Sequence, residues 1–138
     1  MNQIHDPMVV ATFRPRTLRE VARRSASEPS GFDPALREFL DTFYAKPESR
    51  QHGIAERPEP LDDLRDAYLA AVAEHLAWSF GLDVPERSET HGNKLRKPFF
   101  AGGLESLKAI LFVESPTAFR RRLLFVSKDA LSRPRLPG

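Results

Sequence analysis

At 138 residues the chain has the length of one domain, enough to bury roughly two-thirds of its unfolded surface. It has no cysteine, which excludes disulfides, thiolate chemistry and cysteine zinc sites and makes a reducing cytoplasm the expected compartment. The net charge is only +2, but residues 1–85 hold 10 Lys/Arg and 14 Asp/Glu (−4), whereas residues 86–138 hold 11 and 5 (+6).

Such a split suits either of two arrangements. The basic part meets a polyanionic or acidic partner, or the two parts face each other. No run nears the roughly 20 apolar residues that a membrane span needs. Met8-Val9-Val10-Ala11 is cut short by Arg14 and Pro15, so no signal peptide is read at the N-terminus and a soluble protein is expected. Twelve prolines against seven glycines, mostly between apolar segments, predict short helices separated by long connections.

Residues 1–16 lack periodicity and are expected to be loosely held. Thr17 and Glu20 have the spacing of a capping box, which predicts a helix to about Ala26 with Leu18, Val21 and Ala22 inward. Ser30-Gly31-Phe32 breaks the chain, and Asp33-Pro34 is read as cap and first residue of the next helix. There Leu36, Phe39, Leu40, Phe43 and Tyr44 fall at i, i+3, i+4, i+7 and i+8, an apolar stripe ending near Ala45 before Lys46-Pro47. Residues 46–60, with three prolines and a glycine, read as a surface loop.

Leu61 to Phe80 is the longest helix in the pattern, with Leu61, Leu64, Tyr68, Leu69, Val72, Leu76 and Phe80 inward. Asp62, Asp63 and Asp66 suit the positive end of its dipole, and Gly81 fits the left-handed position after its end. His75 has no second ligand at i+3 or i+4, so it reads as a packing histidine. A polar connection then ends in the cluster Lys94-Leu95-Arg96-Lys97-Pro98, followed by Phe99-Phe100 and a Gly102-Gly103 hinge. The next helix is expected over 104–113, burying Leu104, Leu107, Ile110, Leu111 and Phe112.

Ser115-Pro116 reads as the start of a short helix through Thr117-Ala118-Phe119 into Arg120, Arg121 and Arg122. Leu123-Leu124-Phe125-Val126 is too short for a helix and reads as a buried extended segment. Met8–Thr12 is the one other strand-like stretch. Ser127 is placed to cap a last turn to Leu131, and 134–138 are expected to fray. Together these elements predict a single all-α domain spanning 1–138, about five short helices packed on the long Leu61–Phe80 helix, with long proline-rich loops.

The second half of the chain resembles small bacterial helical proteins encoded beside nucleotidyltransferase-like toxins. The shared run is Tyr68-Leu69-Ala70-Ala71 through Leu76, Pro98-Phe99-Phe100, Leu104 to Leu107, Ser115-Pro116, Phe119-Arg120-Arg121-Arg122 and Phe125-Val126-Ser127, covering about residues 61–133. The group usually has Trp-Phe where this chain has Phe99-Phe100. The resemblance implies an antitoxin-like companion that binds and restrains a nucleotidyltransferase-type enzyme.

Three functional readings follow. In the first, a non-catalytic protein binds its partner through Phe99, Phe100, Phe119, Arg120, Arg121, Arg122 and Phe125. Adjacent helical residues lie roughly 100° apart, so the three arginines cannot share one direction. Part of the cluster is expected outward, where guanidinium pairs with carboxylates; in the opposing reading all three pair within the chain. In the second, Lys94, Arg96, Lys97, Arg120, Arg121, Arg122, Lys128, Arg133 and Arg135 form a basic surface for nucleic-acid phosphates. The third, an enzyme, lacks placed acid–base groups, because the dipole already accounts for Asp62, Asp63 and Asp66. No cofactor and no metal are expected.

Overall fold

A computed structural model describes residues 14–86, 95–101 and 108–132, and the expectations for Met8–Thr12, Lys94, 102–107, Arg133, Arg135 and the 134–138 tail lie outside these residues. The described chain is helical, as its periodicity requires. It runs α1 (Leu18–Ser27), α2 (Phe32–Ala45), α3 (Arg50–Ala55), α4 (Asp63–Phe80), β1 (Phe99–Phe100), α5 (Lys108–Glu114), α6 (Thr117–Arg120) and β2 (Leu124–Phe125).

Helix α1 begins as its capping box dictates. The Thr17 hydroxyl accepts from the Glu20 N–H at 3.1 Å, and Glu20 Oε1 accepts from the N–H groups of Thr17 at 3.3 Å and Arg16 at 2.6 Å. Pro15 is buried just ahead of it, so 14–16, the described end of the expected loose tail, are tied down. Helix α2 starts earlier than Asp33-Pro34 suggested. A 3-10 turn over Pro29–Gly31 leads straight into it, Gly31 is its cap, and Asp33 sits in the first turn, where a carboxylate complements the dipole.

The 46–60 stretch is not all loop: a 3-10 turn over Pro47–Ser49 precedes helix α3. Tertiary contacts hold that helix. Ile54 is fully buried, and a Cβ on Gly53 would stand 3.2 Å from the Arg16 carbonyl oxygen and 3.3 Å from the Phe39 ring. The Arg50 guanidinium lies 4.5 Å above the Phe80 ring centroid and donates to the Phe43 and Tyr44 carbonyls at 2.9 and 3.1 Å. It thereby satisfies carbonyls that the end of α2 leaves without helical partners.

Helix α4 is the strut. Asp62 caps it by accepting the Arg65 N–H at 2.8 Å, and Arg65 reaches across to the Ser25 carbonyl at 3.0 Å, tying α4 to α1. Its burial is wider than one stripe. Ala67, Ala70, Ala71, Ala73 and Ala77 are buried alongside Leu69, Val72 and Leu76, because small side chains let neighbours close in from several directions. Leu64, expected inward, lies exposed. Gly81 ends the helix at φ 66°, ψ 33°, and the N–H groups of Gly81 and Leu82 both reach the Ala77 carbonyl. Nothing lies within 4 Å of a Cβ placed there, so Gly81→Ala costs only backbone strain. We expect a loss of about 1 kcal/mol for that change, read as a lower urea midpoint with an unchanged slope.

No helix among the described residues is long and apolar enough to cross a membrane.

Candidate docking site

The C-terminal part of the chain is built around one unusual backbone position. After the four residues of α6, Leu123 adopts φ 64°, a left-handed conformation that costs a branched residue about 1–2 kcal/mol. This kink turns the chain from helix into strand and is held by backbone bonds on both sides. Leu123 donates its N–H to the Arg120 carbonyl at 3.0 Å, and its carbonyl accepts from the Phe99 N–H at 2.9 Å. The extended segment foreseen over Leu123–Val126 therefore begins one residue later, at Leu124, and finds its partner in Phe99–Phe100. The two pair in parallel, Phe99 against Leu124 and Phe100 against Phe125.

Ser115 does not cap the short helix. Pro116 stands at the cap position, while the Ser115 hydroxyl is buried 2.5 Å from the Leu111 carbonyl and 2.9 Å from the Val126 carbonyl, and accepts from the Val126 N–H at 2.8 Å. It joins the end of α5 to the segment after β2.

Beneath this turn lies a charge that no sequence pattern pointed to. Glu74, in the middle of α4, is buried with its two carboxylate oxygens facing different arginines. Oε1 accepts from Arg122 Nη1 at 2.7 Å and Oε2 lies 3.3 Å from Arg121 Nη1. Arg122 is itself buried and donates to the Ala118 carbonyl at 2.7 Å. Alanines at 70, 71 and 77, one turn away from Glu74 on the helix, keep side-chain bulk low beside the pair. In a low-dielectric interior such charges are tolerated only when paired and hydrogen-bonded.

The three arginines therefore divide, Arg120 ending α6 and Arg121 and Arg122 forming the turn after it. Arg122 points in, Arg121 is 46% exposed at its side chain, and Arg120 is exposed, its Nη1 donating to the Val113 carbonyl at 3.3 Å. Of the seven residues expected to meet a partner, Phe119, Phe125 and Arg122 are buried in the molecule and offer it no surface. Phe99 and Phe100 are half-buried, and Arg120 and Arg121 remain accessible. Of the residues proposed for nucleic acid, Arg96, Lys97 and Lys128 are exposed, while Lys94, Arg133 and Arg135 fall outside the described residues.

The surface at this place includes residues that the periodicity assigned to the core or left unmarked. Phe112, expected inward, is 58% exposed, and Val113 next to it is 74% exposed. Phe125 lies between two parallel rings, with centroids 4.8 Å from Phe100 and 5.1 Å from Phe112 and interplanar angles of 18° and 19°. The buried middle ring fixes the outer two, so Phe112 is presented as a rigid aromatic plate. Exposed apolar residues flanked by arginine are the composition of a recognition surface.

The acidic residues at the start of α4 have structural work. Asp62 caps the helix and Asp66 accepts the Leu61 N–H at 2.8 Å. Burial pushes the Asp66 carboxyl up from its ordinary value, and it holds the half-buried His75 imidazole below its own. No group of three His, Cys, Asp or Glu side chains among the described residues is arranged to hold a metal ion. Comparison with protein-family models, with curated proteins and with solved structures finds no match.

Proposed function

We propose that the chain is a non-catalytic binding protein of the cytoplasm, an antitoxin-like companion that docks on a nucleotidyltransferase-type enzyme and restrains it. The observation that carries this reading is the apolar pair Phe112–Val113, exposed beside Arg120 and braced from below by Phe125. A stack that holds its outer ring in place lowers the ordering cost of binding, since the plate is preorganised before a partner arrives. The resemblance of residues 61–133 to companion proteins supports the same role and supplies the class of partner.

Mixing the chain with its nucleotidyltransferase-type enzyme at micromolar concentration gives one co-eluting complex on gel filtration. Val113→Asp places a charge where the apolar contact would form and separates the two, while its own melting temperature stays within a few degrees of the native chain. Independent elution of the native proteins rejects the reading.

The exposure of Arg96, Lys97 and Lys128 favours one second reading, a basic surface for nucleic acid. Binding of that kind weakens steeply and uniformly with salt, whatever the sequence offered.

A further inference from the structure

Two basic stretches far apart in the sequence come together at the Leu123 kink. The Leu95 N–H donates to the Arg122 carbonyl at 3.2 Å and the Phe99 N–H to the Leu123 carbonyl at 2.9 Å. The exposed turn carrying Arg96 and Lys97 is thereby set alongside exposed Arg120 and Arg121. Ion pairs among the described residues engage Glu38, Glu56, Asp62 and Glu74, and leave Arg96 and Lys97 to solvent. On its other side Arg120 reaches back to Val113, so the cations border the exposed apolar pair.

We infer that Arg96, Lys97, Arg120 and Arg121 form one cationic surface that recognises an acidic protein segment carrying an apolar anchor for Phe112 and Val113. This rests on the reading of the chain as a binding protein and adds the chemistry of what is bound. Charge complementarity sets the sign of the partner. Two features favour carboxylates on protein over phosphates on nucleic acid. Aliphatic Val113 has no base-stacking face, yet it is the most exposed large apolar side chain described. Four cations would also release only about four counterions from a nucleic acid, a modest hold at physiological salt.

The test uses a fluorescent peptide of alternating glutamate and leucine, and a fluorescent single-stranded RNA of mixed sequence, each titrated with the full chain in a salt series. The native chain binds the peptide more tightly than the RNA. The double variant Arg96→Glu/Lys97→Glu, which touches neither Glu74 nor the aromatic stack, weakens peptide binding about tenfold or more with an unchanged thermal melt. Absence of peptide binding, or RNA bound more tightly than peptide, overturns the inference. If the peptide binds but the enzyme does not co-elute, the enzyme-restraint reading fails and the acidic-segment surface stands. If the enzyme binds the double variant as tightly as the native chain, the surface inference fails and the companion reading stands.

Discussion

Glu74→Ala lowers the stability of the folded chain by about 3–5 kcal/mol, because it removes the carboxylate that accepts from the buried Arg122 guanidinium at 2.7 Å. Single domains are stable by roughly 5–15 kcal/mol, so this change alone brings the chain near the edge of folding. Arg121, half-exposed, turns to water at little cost once the carboxylate is gone. Arg122→Ala is expected to be damaging too, since it takes the closer partner from the buried carboxylate and leaves only half-exposed Arg121, 3.3 Å from Oε2. The double variant Glu74→Leu/Arg122→Met removes both charges and fills similar volume, and it recovers most of the loss. Urea denaturation of the three variants checks this. A double variant no more stable than the worse single one would show that the pair is not the unit that matters.

The second large effect is Phe119→Ala, with an expected loss of about 3–5 kcal/mol from lost burial plus the cavity left behind. Phe119 is fully buried and is the main anchor of a helix only four residues long. Its ring meets Tyr68 edge-on at 5.2 Å and lies 6.2 Å from the His75 ring, both on α4. Burial, with the charge of Asp33 nearby, pushes the Tyr68 hydroxyl up to about 12, so the phenol stays protonated throughout the neutral range. Because Phe119 seats the turn that carries Arg122, its loss couples to that of Glu74. The two substitutions combined cost less than their separate losses added together, which a double-mutant cycle measures.

Elements with a local cause could be read before the structure. The Thr17–Glu20 box, the stripe of α2, the length of α4 and the left-handed Gly81 each depend on residues a few positions apart. Helix α3 could not be read, since one isoleucine among polar residues gives no period and the contacts to Phe39 and Phe80 come from other elements. The β1–β2 pair was hidden for a similar reason. Two residues have no alternation, and each pairs with a residue 25 positions further along the chain. The extended nature of 124–126 was legible, but the left-handed Leu123 at its start and the register against Phe99–Phe100 were not.

The site was legible in place but not in orientation. The Arg120–Arg122 run stood out by composition, yet which arginine turns inward depends on the Leu123 kink and on Glu74, 48 residues upstream. A lone glutamate inside an alanine-rich apolar run was the available signal, and it was readable only as one polar position on a long helix. Phe112 illustrates the opposite case. Between buried Leu111 and exposed Val113 in the described part of α5, its side is set by the stack on Phe125 and not by any local period.

The most direct test of the docking face is hydrogen–deuterium exchange on the chain alone and mixed with the nucleotidyltransferase-type enzyme proposed as its partner. Slowed exchange is expected over 95–101 and 111–123 alone, with α1 to α3 unchanged. Protection centred on α1 to α3, with those two stretches exchanging as in the isolated chain, would contradict it.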